Sequence, residues 1–392
     1  MARKPISCRS QWFLEFSLRL FALGWLLPLP FAGFAGESTP AQVSKILGAA
    51  SCSSSSCHGG GGAAQNQYQV WSLLDFHSQR PFATLTTARS KQISDALGIK
   101  EPAENLRCTI CHAPLQSVPA ERRPGVKISD GISCESCHGQ AEPWLRGHTR
   151  SDWSHGHRIA AGMRDLKDLY ERANTCVACH QTVELPLLKA GHPELIFEMD
   201  GQTVSEPRHW REVTNFCGGQ SWFVGQAVAL RELSWQLSRE SIGDSKLSAR
   251  WQAALWLLEK VAPIVSSSTE RAASEPSSEN AADALKASDQ IARQAAQMNW
   301  TIDLSRKALQ VLAATGPDFR QRELSSELQA RRAERLVLAL DRLNNDLRRN
   351  QPRKETDLEL DSIFKLAQSI PDFDPGTFAA ALDKFLARIE RE

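Results

Sequence analysis

Apolar residues between positions 221 and 238, at Phe223, Val224, Val228, Leu230 and Leu233, are spaced to share one face of a helix. The same spacing recurs over 246–262, with Trp251, Leu255, Trp256 and Leu258. It predicts further helices over 281–299, 301–314, 321–349, 357–369 and 375–391, punctuated by Gly316-Pro317, Pro352 and Pro371. Residues 266–280, rich in Ser, Glu and Ala, read as a surface linker. Upstream of Gly218 the pattern changes. Segments 68–77, 90–97 and 166–174 predict short helices, separated by loops such as 113–128, which carries Pro114, Pro119 and Pro124. The expected fold class is therefore mainly α: short helices and long loops first, an all-α helical C-terminal region after them.

Residues 1–19 carry Arg3, Lys4, Arg9 and Arg19, and 20–35 are apolar with Pro28 and Pro30, before polar residues begin at Glu37. This is the layout of a signal peptide cleaved after Gly33-Phe34-Ala35. The rival reading is an uncleaved anchor, but the apolar run is shorter than the roughly 20 residues a spanning helix needs. Export, with a periplasmic destination, is the expectation, and Cys8 would leave with the peptide. Over 392 residues the formal net charge is +1, which gives no electrostatic footprint for nucleic acid. The expected domains are 1–35 signal peptide, 36–240 chemistry-bearing domain and 241–392 helical domain.

All ten histidines and every cysteine but Cys8 lie between 41 and 218. Cys108-Thr109-Ile110-Cys111-His112, Cys134-Glu135-Ser136-Cys137-His138 and Cys176-Val177-Ala178-Cys179-His180 each read C-x-x-C-H, the attachment pattern of c-type haem. On a helical turn these positions share one face. Two thiols can bond the porphyrin's vinyl groups while the adjacent imidazole reaches the iron. A zinc ribbon would account for the thiol pairs. It would not account for a histidine directly behind the second cysteine three times. Cys52-Ser53-Ser54-Ser55-Ser56-Cys57-His58 is a widened version, C-x4-C-H, and shares its Cys-His-Gly ending with the motif at Cys137. Four covalent haems c are the expectation, held by Cys52, Cys57, Cys108, Cys111, Cys134, Cys137, Cys176 and Cys179, with His58, His112, His138 and His180 as proximal ligands. Four porphyrins would also supply the apolar volume that this segment lacks. Cys217, left over, reads as a buried thiol.

Six histidines remain. His77 follows Trp71 and Leu74 at helical spacing, His148 follows Trp144, His192 is stiffened by Pro193, and His209 precedes Trp210. These four are the expected second axial ligands, with His155 or His157 in reserve. Met163 and Met199 read as core filling. Arg331, Arg332 and Arg335 read as a solvated helix face.

Trp71 to His77 (Trp-x5-His), the run Gly131-Ile132-Ser133-Cys134-Glu135-Ser136-Cys137-His138-Gly139, and Gly191-His192-Pro193-Glu194-Leu195-Ile196-Phe197-Glu198 resemble the tetrahaem cytochrome c-554-type family, related in haem packing to hydroxylamine oxidoreductase. The segment Trp222-Phe223-Val224-Gly225-Gln226 is similar to the region after that family's last haem. The resemblance covers about 41–240. It implies a multihaem cytochrome c domain over 36–240, closely packed haem pairs, mostly bis-His iron and periplasmic electron transfer, with room in the family pattern for one five-coordinate haem. The C-x4-C-H motif and the His-free C-terminal half depart from it. The leading expectation is one-electron relay at low potential between redox partner proteins. The alternatives are a reductase or oxidase of small nitrogen or sulfur compounds at one five-coordinate haem, and a haem-bearing subunit that its helical half docks onto a larger membrane-associated redox complex.

Overall fold

The computed structural model describes residues 44–392 except 63, 240–242, 266–274, 349–354, 369–371 and 392. The expected signal peptide, Cys8 and most of the expected linker lie outside the described residues. Those described are mainly helical, with no strand among them and a single isolated bridge between Ser78 and Gly131. No described helix is long and apolar enough to cross a membrane.

The first half carries α1 (Gln67–Leu74), α2 (Arg80–Thr84), α3 (Ala88–Ala96), α4 (Leu106–His112), α5 (Cys134–His138), α6 (His155–Ala160), α7 (Leu169–His180), α8 (Leu185–Lys189) and α9 (Met199–Ser205). Most are two turns or fewer, as the broken apolar pattern predicts. Their starts follow local capping chemistry: Thr87, Asn105 and Asp168 each accept from backbone N–H groups in the first turn of α3, α4 and α7. The helix expected over 166–174 begins at Leu169 behind its Asp168 cap and continues through the fourth Cys-His motif to His180.

The second half is a bundle of α10 (Gly218–Arg239), α11 (Ser245–Val265), α12 (Ser278–Gln297), α13 (Ile302–Ala313), α14 (Ser326–Arg348), α15 (Glu355–Ala367) and α16 (Pro375–Ile389). The helix expected from 321 starts at Ser326, because a 3-10 turn occupies Gly316–Arg320 and Ser325 Oγ accepts from Leu328 N at 3.2 Å. At the centre lies α10, packed by α12, α11, α14, α9 and α7. An amphipathic stripe was the expectation there. Every residue from Ser221 to Leu230 is instead buried, because the helix has neighbours on every side. Each fully buried Phe223, Trp222 or Leu233 contributes roughly 1.5–3 kcal/mol of transfer free energy.

The two halves join through α7. Its Leu169, Ala173 and Val177 enter the core against α10. Tyr170 OH donates to Asp289 Oδ1 of α12 at 2.6 Å, and Arg231 of α10 donates to the same oxygen at 2.9 Å and to Asn174 Oδ1 at 2.6 Å.

The expected solvated arginine face on α14 is not one. Arg335 is 4% exposed, and Arg331 ion-pairs with Glu194, Glu327 and Glu334 at 2.8, 2.8 and 3.3 Å. Arg332 lies over the Trp256 ring. The segment around Glu194 covers this face, and no charge pattern local to α14 signals its arrival.

A strained spot sits beside α9. Burial, and next to it the Asp200 carboxylate, raise Glu198 to about 7. Asp200 is likewise raised to about 7 by burial, opposed by Arg342 at 3.8 Å. A carboxyl group raised on folding favours the protonated native state, so its stabilising effect is greatest below the ordinary aspartate range and declines as pH rises through 7. Asp200→Asn is accordingly expected to raise stability by roughly 2 kcal/mol at pH 8 and by much less at pH 5. Thermal melts of both proteins at the two pH values check this; an equal gain at both would contradict it.

Candidate haem-binding site

In the second, third and fourth Cys-His motifs the histidine is the last residue of a helix: α4, α5 and α7. Helical register thus sets both thiols and the imidazole on one side. The first motif is built differently. After a 3-10 turn over Ala49–Cys52, the four serines form a tight loop in which Cys57 N and Gly59 N both donate to Ser54 O at 2.9 Å. The wider spacing is taken up by this turn, after which His58 is near enough to act electrostatically on Cys52.

The third motif is the anchor. Glu135, between its two cysteines, is 4% exposed and accepts from Leu47 N at 3.0 Å, Gly48 N at 2.7 Å and Ala141 N at 2.7 Å. One carboxylate therefore fixes the approach to the first motif and the exit from its own. Arg164 Nη1 closes the other end of α5, donating to Ser136 O and Cys137 O. Just before α5, Gly131 has φ 68°, and a Cβ there would stand 2.9 Å from His77 O, so only glycine admits the His77 segment this close. Trp71 Nε1 and His77 O complete the join through Ile132 O and Ile132 N.

Three of the four motif histidines have a second imidazole for a ring neighbour. His58 and His148 lie 6.1 Å apart between ring centroids, His180 and His77 5.8 Å, and His112 and His192 6.4 Å. His138 interacts electrostatically with His209 first, then with His58 and His148. The Nδ1 atoms are largely engaged. They donate from His58 to Gln67 Oε1 at 3.0 Å, from His112 to Pro81 O at 2.7 Å, from His148 to Leu145 O at 2.6 Å and from His192 to Pro193 O at 2.9 Å. His77 Nδ1 donates to Asp75 Oδ1 at 3.1 Å and lies 3.2 Å from Glu206 Oε1. His209 Nδ1 lies 3.8 Å from Asp75 Oδ2. An imidazole anchored at Nδ1 presents Nε2 to a metal in a fixed orientation. The two reserve histidines are occupied otherwise: His155 Nε2 donates to Asp165 Oδ2 at 2.9 Å, and His157 Nδ1 accepts from Ser154 N at the start of α6.

Asp75 and Glu206 were not singled out in the sequence. Asp75 is 3% exposed in its side chain and serves two histidines at once. Its position two residues before His77 was the only local signal. Burial opposes ionisation of Asp75, but the hydrogen bonds from His77 outweigh it and the carboxyl group falls below its ordinary range. Asp75, and then Glu206, raise His77 to about 10. His138 is pushed down to about 4, by burial first and His209 next, and His112 and His180 are lowered chiefly by burial. Lowering favours the neutral imidazole that a metal requires, whereas His77, held cationic by its two carboxylates, would release its Nε2 proton on binding metal.

The thiols link the motifs into a row. Cys52 of the first lies close enough to Cys134 of the third, and Cys111 of the second to Cys179 of the fourth, for the thiols of each pair to shift one another's ionisation. Cys137 of the third and Cys176 of the fourth interact electrostatically.

This donor set fits c-type haem. Two imidazoles on opposite sides of one iron place their ring centroids about 6 Å apart, given a metal–nitrogen bond of about 2 Å and a ring radius of about 1.1 Å. Zinc would call for the four thiols of two motifs around one point, whereas the thiols meet only in pairs from different motifs. Leu106 and Ile110 on α4, with Leu73, Leu74 and Phe76 before His77, add exposed apolar side chains of the kind a porphyrin face covers.

No curated protein and no solved structure matches the chain. Residues 51–139, which hold the first three motifs and His77, match the family described as cytochrome c554 and c-prime. Over that segment the chain is similar to c-type cytochromes of the c554 type, which bind haem c.

Proposed function

We propose that the protein is a periplasmic multihaem cytochrome that carries single electrons between redox partner proteins on four covalently attached haems. The observation that carries this reading is the pairing of three motif histidines with a second imidazole, His58 with His148, His112 with His192 and His180 with His77; His209, whose charge His138 feels most strongly among the imidazoles, is assigned to the fourth. Haem c, when bound, supplies a ferric–ferrous couple. The chain's part is to hold that iron still. Carbonyl and carboxylate acceptors at Nδ1 make the imidazoles stronger donors and fix their planes. Paired imidazoles lack the thioether that raises potential, so low potentials follow. An imidazole on either side also leaves no open coordination position, which favours carriage over catalysis.

The thiol contacts string the motifs in the order first, third, fourth, second. The first and second stand at the ends, and Cys57 in the first is exposed. Partner proteins are expected to exchange electrons at those ends. The basic, then apolar layout of residues 1–35 supports export, and c554-type cytochromes are typically periplasmic.

Expression in a host able to attach c-type haem tests the reading. Four haems per chain and wholly low-spin iron in the electron paramagnetic resonance spectrum are expected. Colourless protein, fewer than four haems, or a substantial high-spin signal in undenatured protein would overturn it.

A further inference from the structure

Beside His192, where α8 and the following turn meet the start of α11 and the middle of α14, lies a cavity of about 450 Å³. Five cationic side chains line it: Arg89, Lys189, Lys246, Arg250 and Arg331. Only two carboxylates face them, Glu194 and Asp244, and both are committed elsewhere. Glu194 is ion-paired with Arg331 at 2.8 Å, and Asp244 Oδ1 accepts from Lys246 N and Leu247 N at the start of α11.

Arg250 is the distinctive member. It is 4% exposed, has no carboxylate within ion-pair distance among the described residues, and makes its hydrogen bond from Nη2 to Leu195 O at 3.0 Å. A guanidinium so enclosed, with donors still facing a cavity, carries a desolvation cost that a bound anion would offset. Burial also pushes its pKa below the ordinary arginine value. The exposed Arg89 holds the cavity wall, donating from Nε and Nη2 to Gly191 O at 3.2 and 2.8 Å. Lys189 and Lys246 stand exposed at the rim.

We propose that this cavity is an anion site, taking a carboxylate or oxyanion against Arg250. The anion has two sources of the same chemistry: a propionate of the haem held between His112 and His192, or a free anion from solution. The first source rests on the haem assignment above; the second does not.

The test uses haem-loaded protein, wild type and Arg250→Met, with a rim variant carrying Lys189→Gln and Lys246→Gln. Inorganic phosphate is titrated calorimetrically at low ionic strength, and the haem reduction equilibria are followed in phosphate-free buffer. If the anion is free, wild type binds phosphate and R250M weakens binding about tenfold or more. The rim variant then weakens it a few-fold, and added salt erases the rim effect first. The reduction equilibria stay unchanged. If a propionate fills the site, wild type takes up no phosphate. R250M then shifts one haem about tenfold towards its oxidised form, since a lost cation favours ferric iron, and the rim variant shifts the same haem less. Absence of phosphate uptake together with unmoved reduction equilibria overturns the proposal. Should R250M fail to fold, wild type and the rim variant decide by the same two readouts. A haem count on each sample separates failure of this site from failure of the haem assignment.

Discussion

Protein carrying Cys134→Ala and Cys137→Ala is expected to retain three haems per chain and to lose electron exchange between the first motif and the other two. The third motif stands between the first and the fourth: Cys134 neighbours Cys52 of the first, and Cys137 interacts electrostatically with Cys176 of the fourth. Its histidine is the one that interacts with both imidazoles of the first pair. Glu135 and its three backbone donors are untouched by the double substitution, so the first motif keeps its anchor. Haem analysis should fall from four to three. After rapid photoreduction, the first-motif haem should stay out of equilibrium with the rest far longer than in wild type. Equivalent changes at the second motif, at one end of the row, should also remove one haem but leave exchange among the other three intact. If both variants behave alike, the order derived from the thiol contacts is wrong.

Asp75→Asn is expected to raise the midpoint potentials of two haems, those ligated by His77 and His209, by about 50–100 mV while leaving the other two in place. One carboxylate lies 3.1 Å from His77 Nδ1 and 3.8 Å from His209 Nδ1. A unit charge about 7 Å from an iron, at an effective dielectric near 20, is worth about 2 kcal/mol, or about 100 mV for one electron. Loss of the negative charge favours the ferrous state, so the shift is upward. Glu206, 3.2 Å from the same His77 nitrogen, remains and should make the His77 shift the smaller of the two. A redox titration resolved by optical and magnetic spectra would show this. Uniform movement of all four potentials, or none, would remove Asp75 from its shared role.

The helices of the C-terminal half were legible because each buries a stripe with helical spacing, and the caps and prolines that bound them are local. What escaped was whatever depends on a distant segment. Arg331 and Arg335 look solvated until Glu194 and Gln226 are brought against them. The helix before the fourth motif was expected to stop at 174, yet it runs unbroken through Cys176 and Cys179, because Ala173 and Val177 continue its buried side. The candidate site divides the same way. Attachment motifs are contiguous and stand out in the sequence. That second ligands should be sought among the histidines upstream of Gly218 followed from their confinement there, whereas which imidazole neighbours which did not. His77 meets an imidazole about a hundred positions away, at His180, while His148 meets one that precedes it, at His58. No spacing rule encodes such meetings.

With haem attached at the fourth motif, α7 would give the molecule a built-in optical reporter. Its apolar side is wedged among α10 and α12, while the same rod ends in Cys179 and His180. Melting of the bundle should therefore perturb the visible circular dichroism of one chromophore at the same temperature, with the first-motif chromophore responding later or not at all.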